Sequence, residues 1–322
     1  MKYYIFLGLL IFVSCTKQPQ FVRISGEALG TYYTVSYYDT EGRIFHSEID
    51  SLLKNFLCVA SLHETNSEIN AVNHNQEIVV SLMFQDIFEK AVSISEISDG
   101  AFDFTIGPLV RAYGFWNKAR EEITDAKIAE YLKLVDFRGI SIVNGNVFKK
   151  NPDIQIDFNA IAKGYVVDIV GEFLEENEIK TYLVDIGGEV LGKGRKPNGD
   201  CWRVGIEKPA ENNDSDREVE HVIELCDAAL ATSGNYRKYY EKDGKRYSHT
   251  IDPTTGKSVE HSLLSVTVRD STTWRADALA TAMMVLGVEK SLQLLEKLPG
   301  VEAFFISDND DGTFVITKSS GF

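Results

Sequence analysis

Apolar and polar residues alternate over Phe21–Ile24 and again over Tyr32–Tyr38, with Gly30 between them, a period that predicts two strands. The period then lengthens. Ile49, Leu52, Leu53, Phe56 and Leu57 fall on one face of a helix, and a longer helix is predicted over Ser81–Ser98, stopping at Gly100. Ile161, Tyr165, Val166, Ile169, Val170, Phe173 and Leu174 mark a further amphipathic helix. The remainder is richer in strands. Asn144-Gly145, Asp243-Gly244 and the Asp308–Gly312 turn each sit between β-type runs, which signals hairpins. Hairpins pair strands antiparallel, so the expected fold class is α+β, with mixed, largely antiparallel sheets and packed helices, not a doubly wound parallel sheet. Pro209–Arg217, polar and acidic, is expected to be a loop.

Composition adds little to this: 322 residues, 44% hydrophobic and 25% charged, are ordinary for a globular chain. A net charge of −15 argues against nucleic acid as the main partner, because phosphate backbones need clustered Lys and Arg. Only the start departs from the average. Lys2 precedes an apolar run from Tyr3 to Val13, and roughly 11 apolar residues are too few to span a bilayer as a mature helix. A basic residue, a short apolar run and a small residue describe a secretory signal peptide. With Cys15 at its end, the segment resembles bacterial lipoprotein signals, although Phe12 stands where Leu is usual. The expected layout is a signal peptide over 1–14, a linker over 15–20 beginning with a lipidated Cys15, and one domain over 21–322. That places the protein outside the cytoplasm, on the periplasmic side of a bacterial membrane, held by its lipid anchor. No two of the four cysteines form a CxxC pair. Cys58, in an apolar helical pattern, is expected to be a small core residue, and a Cys201–Cys226 disulfide is left open.

Generic catalytic motifs fail. Gly256-Lys257-Ser258 has Ile251 where a P-loop needs its first glycine. Gly192-Lys193-Gly194 breaks off at Arg195, Lys196 and Pro197. Polar residues at the ends of apolar elements stand out instead. Asp157-Phe158-Asn159-Ala160-Ile161-Ala162-Lys163-Gly164 reads as a strand end opening a helix, where free N–H groups and the positive dipole end suit an anion. Asp157 and Lys163 are then ligand contacts or, alternatively, mere capping groups. Ala276-Asp277-Ala278-Leu279-Ala280-Thr281 reads as a helix start. Asp277 and Thr281, four apart, present a carboxylate and a hydroxyl on one face, a pair that suits Mg²⁺ or simply an N-terminal Asp with a back-bonded Thr. His249, between Ser248 and Thr250 near a Gly/Pro turn, is placed for acid–base work or for a structural role. Gly187-Gly188 and Thr232-Ser233-Gly234-Asn235 read as Gly-bearing turns behind strands, where backbone approaches a ligand closely.

Taken in order, these segments resemble the ApbE family of FAD:protein FMN transferases. The likeness covers about residues 25 to 317. It runs from Leu29-Gly30-Thr31-Tyr32 through Asn66-Ser67-Glu68-Ile69, the Gly100–Leu109 segment and Asp157–Asp168. It continues through Asp185-Ile186-Gly187-Gly188, Ala231–Gly234, Ser248–Gly256, Ser265–Val268 and Ala276–Thr281, and ends at Val285-Leu286-Gly287. The resemblance implies an ApbE (T-fold-like) architecture. It implies Mg²⁺ held by Asp277, Thr281 and the Ala160 carbonyl, and FAD against Leu29, Ala101, Phe102, Asp103, Asp157, Lys163 and Ile251. It makes His249 the catalytic base.

Two positions depart from the family pattern. Some members carry an Asp where this chain has Ala280, and a Tyr is frequent where it has His63. His63 is still expected beside FAD, with imidazole stacking less well than a phenol ring. The implied reaction moves FMN from FAD to a threonine hydroxyl of another protein and releases AMP. The acceptor would be a subunit of a membrane redox complex, such as a sodium-translocating NADH:quinone oxidoreductase (Nqr) or an Rnf-type complex. Two alternatives use the same residues: an Mg²⁺-dependent FAD pyrophosphatase and a non-catalytic exported FAD-binding protein.

Overall fold

The structure, a computed structural model, describes residues 17–114, 123–209, 218–235, 239–242, 245–248, 250–309 and 313–322. The expected signal peptide, Cys15, His249, the Asp243-Gly244 turn, most of the Pro209–Arg217 loop and residues 310–312 lie outside the described residues. The chain opens with β1 (Gln20–Ala28) and β2 (Thr31–Asp39). Five helices follow: α1 (His46–Ala60), α2 (Glu68–Asn73), α3 (Leu82–Ile97), α4 (Gly107–Ala112) and α5 (Asp125–Leu132). Next come β3 (Ile140–Val143), β4 (Asn146–Lys149) and α6 (Asn159–Glu176). The strands β5 (Tyr182–Ile186), β6 (Glu189–Lys193), β7 (Trp202–Glu207), β8 (Val219–Leu225) and β9 (Ala228–Gly234) follow. After β10 (Tyr239–Lys242), β11 (Lys245–Ser248) and β12 (Leu263–Asp270), the chain ends with α7 (Thr273–Leu295), β13 (Glu302–Asp308) and β14 (Phe314–Lys318).

Eight strands form one sheet in the order β1-β2-β5-β6-β9-β12-β13-β14, antiparallel at every step. Strand alternation sends side chains to its two faces. Val184, Leu191, Ala229, Ala231, Val266 and Val268 join the core shared with α6 and α7. Val190, Leu230, Phe304 and Ile306 face the other way and pack with Trp202, Ile206 and Leu225 of the β7–β8 hairpin. Cys201 and Cys226 bracket that hairpin and form a disulfide, with their Cα atoms 5.1 Å apart.

The predicted helices are present, and α3 is capped as its sequence suggests. Ser81 caps α3 by accepting the Phe84 N–H, and Gly100 follows with φ +81°. The Asn144-Gly145 hairpin turn has φ values of 51° and 75°, which only such residues adopt at little cost. Three local readings are corrected. Cys58 is exposed, because Ile49, Leu53, Phe56 and Ala60 define the buried face of α1 and Cys58 projects from the opposite side. Asp157 closes no strand; its N–H is held by the Phe104 carbonyl at 2.7 Å in an irregular segment. Ser233 and Gly234 are not a turn but the end of β9, paired with Val266 and Ser265 of β12.

The helix carrying Asp277 also begins earlier than expected. Its first residue is Thr273, and the Thr272 side chain provides no cap. Instead Asp168 of α6 accepts the N–H groups of Thr273 and Trp274 at 2.9 and 2.8 Å, so one helix caps the other. Burial raises the Asp168 carboxyl to about 6 against the pull of those two N–H groups. An acid whose pKa is higher folded than unfolded binds its proton more tightly in the native state. Its contribution to stability is therefore full below about pH 4 and is lost as pH rises through about 6. Asp168→Asn should flatten the fall of melting temperature over that window. Asp168→Ala should cost about 1 kcal/mol through loss of the cap. An unchanged pH slope in Asp168→Asn would show that this carboxyl does not titrate there.

Candidate active site

A cleft of about 1140 Å³ opens where the start of α6, the β5–β6 turn and the β1–β2 turn meet, with the β7–β8 hairpin as its far wall. Drug-sized ligands occupy roughly 300–1,000 Å³, so this space suits a molecule as large as a dinucleotide. The described residues singled out from the sequence all line it: Leu29, His63, Ala101, Phe102, Asp103, Asp157, Ala160, Lys163, Ile251, Asp277 and Thr281. His249 and Cys15 lie outside the described residues.

Each is held by its local fold. Leu29 has φ +54°, uncommon for a bulky residue, at the tight turn between β1 and β2. His63 follows the end of α1 in a turn tied down by Asn70, whose amide donates to the Leu62 and Glu64 carbonyls. Asp103 knots the loop after α3: its Oδ1 accepts the N–H and hydroxyl of Thr105 at 2.8 and 2.6 Å, and its Oδ2 accepts the Phe137 N–H. Burial raises its pKa, and those hydrogen bonds oppose the rise. Ile251 packs with Leu109 and Tyr113, and the Tyr113 hydroxyl donates to the Gly256 carbonyl at 3.0 Å.

Asp157 is 7% exposed, and burial raises its pKa against the Asn159 N–H and the charges of Arg111 and His63. The start of α6 is less open to an anion than the sequence suggests. The Asn159 N–H is spent on Asp157 Oδ1, and the Ile161 N–H on the Phe158 carbonyl. What α6 offers the cleft is its dipole end and the ammonium of Lys163.

Gly164 sets the geometry. A β-carbon there would stand 2.3 Å from the Thr273 carbonyl oxygen and 2.7 Å from Asp277 Cβ, so α6 and α7 cross at a distance only glycine permits. The Gly164 N–H, which in a regular helix points at the Ala160 carbonyl, donates to Asp277 Oδ2 at 2.9 Å. The Ala160 carbonyl and the Asp277 carboxylate therefore converge on one donor. Thr281, one turn beyond Asp277, bonds Ser233 Oγ of β9 at 3.1 Å. Asp277 is 5% exposed, and its Oδ1 meets no donor among the described residues. Burial raises its pKa, opposed by Lys163 and the Gly164 N–H.

A carboxylate, a hydroxyl and a carbonyl are all oxygen donors, the set Mg²⁺ prefers, and a carboxylate oxygen left without a donor on the cleft wall fits a cation. Among the described residues no three His, Cys, Asp or Glu side chains gather as a metal site. A cation at Asp277 would therefore rely on one carboxylate, neutral oxygens and its ligand's own phosphates.

Residues that the sequence did not single out complete the cleft. Glu189 of β6 is 2% exposed and pairs with Lys163 at 2.5 Å. Arg203, Val204, Gly205, Ile206 and Glu207 of β7 form the far wall. A charged residue opening a buried strand directly after Gly187-Gly188 was the available signal for Glu189. Nothing local marks β7.

The ApbE family model matches residues 29–305. An FAD:protein FMN transferase of Vibrio cholerae is 36% identical over 97% of this chain and 95% of its own length. Its Escherichia coli K12 counterpart is 31% identical over 94% and 91%. Among solved structures, the flavin transferase ApbE from Vibrio cholerae superposes with a TM-score of 0.83 at 35% identity, covering 94% of this chain and 98% of that one. The apo form of Pseudomonas stutzeri flavinyl transferase ApbE gives 0.84 at 36%, over 94% and 96%. The chain belongs to the ApbE family.

Gly164→Ala tests the geometry of the crossing. Forcing a methyl group between α6 and the backbone of α7 should cost about 1–3 kcal/mol and lower divalent-cation binding by displacing Asp277. Calorimetric melting and Mn²⁺ titration measure both. A variant with wild-type stability and cation affinity would refute the close approach.

Proposed function

We propose that this chain transfers FMN from FAD to a threonine hydroxyl of an acceptor protein with Mg²⁺ as cofactor. The observation that carries the reading is that Asp277, Thr281, Ala160 and Lys163 line one dinucleotide-sized cleft, with Asp277 bonded to the Gly164 N–H of α6. The relatives named FAD:protein FMN transferase supply the reaction.

In that reaction the threonine oxygen forms a bond to the phosphorus of the FMN half. The bond from that phosphorus to the bridging pyrophosphate oxygen breaks, and AMP leaves with the electron pair. The cleft is rich in acid, with Asp103, Asp157, Asp185, Glu189, Glu207 and Asp277 on its lining against Lys163 and Arg203. A pyrophosphate enters such a site only if its charge is balanced. Asp277, Thr281 and the Ala160 carbonyl would hold Mg²⁺, whose charge would supply that balance and stabilise the departing AMP. Lys163 faces the phosphates from α6. Leu29, His63, Ala101, Phe102, Asp103, Asp157 and Ile251 hold the rest of FAD, and His249 takes the threonine proton.

Residues 21–322 act as one catalytic domain, tethered outside the cytoplasm by a lipid on Cys15. The acceptor is a subunit of an Nqr- or Rnf-type membrane redox complex. Incubation with FAD, Mg²⁺ and membranes from the same cell, followed by mass spectrometry, should find FMN on a threonine. AMP release without protein-bound flavin would instead indicate a pyrophosphatase, and FAD binding without AMP release a carrier.

Asp277→Ala should abolish Mg²⁺-dependent AMP release, because it removes the only carboxylate assigned to the metal. Thr281→Val should weaken it less, since a neutral hydroxyl contributes less than a carboxylate. Near wild-type turnover of Asp277→Ala at limiting Mg²⁺ would place the metal elsewhere. For the anchor, Cys15→Ser should move the protein from the detergent phase to the aqueous phase, since lipid anchoring rests on buried CH₂ groups at about 0.8 kcal/mol each. Unchanged partitioning would rule the lipid out.

A further inference from the structure

Among the described residues, Glu189 is the one strongly buried charge in the cleft that neither the metal nor the FAD assignment uses. It opens β6 just after Gly187 and Gly188, whose φ values of 65° and 103° turn the chain back from β5. Pairing of Ile186 with Glu189 fixes the register of that hairpin. Strand alternation then puts Glu189 on the same face as Leu191, beneath α6. There its Oε1 meets Lys163 Nζ at 2.5 Å.

Two buried carboxylates, Glu189 and Asp277, flank this single ammonium, and the Lys163 charge acts on both. The lysine sits on Glu189. No ion pair joins it to Asp277 among the described residues, and Asp277 keeps only the Gly164 N–H as a partner. Glu189 Oε2 is buried and makes no hydrogen bond, an arrangement that packing alone would not leave.

We propose that Glu189 is a positioning residue: its carboxylate holds the Lys163 ammonium clear of Asp277, so that Asp277 stays open to the divalent cation and Lys163 stays aimed at the anionic phosphates. This deepens the transferase reading and rests on its metal assignment. The physical reason is competition. An ammonium between two buried carboxylates settles on one of them, since a buried carboxylate left unpaired is costly. If Glu189 cannot hold it, Asp277 is the next buried carboxylate within reach of its charge. An ion pair formed there would occupy the oxygen the metal needs and draw the lysine away from the phosphates.

The test titrates the full chain with Mn²⁺ by electron paramagnetic resonance, without FAD, and follows FAD binding separately by flavin fluorescence. Glu189→Gln should weaken Mn²⁺ binding about tenfold, the lower end of what loss of an outer partner costs a metal site, and should also weaken FAD. Glu189→Asp keeps the charge but withdraws it by one methylene, so it should weaken Mn²⁺ as well. Adding Lys163→Met to Glu189→Gln should restore Mn²⁺ affinity, because no ammonium remains to compete, while FAD stays weak. Melting temperatures identify any variant that has failed to fold, and the pair Glu189→Asp and the double variant then carry the decision.

The proposal is overturned if Glu189→Asp binds Mn²⁺ like wild type while Glu189→Gln does not, for then only net charge matters. It is equally overturned if the double variant stays as weak as Glu189→Gln. A different result separates failure of the underlying reading: Asp277→Ala binding Mn²⁺ as tightly as wild type would remove the metal site and this role together.

Discussion

The contact on which the site depends is the crossing of α6 and α7 at Gly164. Two helices normally keep their axes about 8–10 Å apart because side chains fill the space between them. Here a glycine removes the side chain, and the Thr273 carbonyl and Asp277 occupy its place. Three hydrogen bonds hold the crossing in register from opposite partners. Asp277 of α7 takes an N–H from α6, and Asp168 of α6 takes two from α7. The small residues Ala229 and Ala231 on the helix-facing side of β9 let α7 lie close to the sheet, which brings Thr281 to Ser233. Every oxygen assigned to the cation therefore depends on one position without a Cβ.

From that crossing the charges of the cleft follow. Bringing α7 so near puts Asp277 beside the first turns of α6 and within the field of Lys163. The antiparallel hairpin β5–β6 brings Glu189 to the other side of the same lysine. Neither carboxylate is stable alone in so buried a place, and burial raises the pKa of both. The arrangement is complementary to a cation accompanied by a polyanion, the cation balancing both the acidic lining and the phosphates.

How much of this could be read beforehand follows from the range of each interaction. Local rules located the helices from Ser81 to Ser98 and from Ile161 to Leu174 and the Asn144-Gly145 hairpin, since periodicity, caps and positive-φ turns act within a few residues. Asp157, Lys163, Asp277 and Thr281 stood out as polar residues at element ends, the other described candidates were reached through ordered segment likeness, and all of them line one cleft. What failed was decided by contacts distant along the chain. The start of α7 was misplaced because its cap is Asp168, more than a hundred residues earlier. Asp157 looked like a strand end, yet its partner is the Phe104 carbonyl. Cys58 lies among apolar neighbours in sequence but on the outer face of α1. Glu189 belongs to the site only through the pairing of β5 with β6, and the β7 wall only through packing of its hairpin on the sheet, neither of which a local window contains.

On the proposed reading, the glycine-mediated crossing creates the cation site. Anomalous diffraction from crystals of the full chain grown with FAD and Mn²⁺ tests it most directly. The expected result is an anomalous peak in contact with Asp277, Thr281 and the Ala160 carbonyl, at about 2.1 Å as expected for a small hard cation, with the pyrophosphate beside it. A fully occupied peak elsewhere in the cleft, with Asp277 still bound only to the Gly164 N–H, would contradict it.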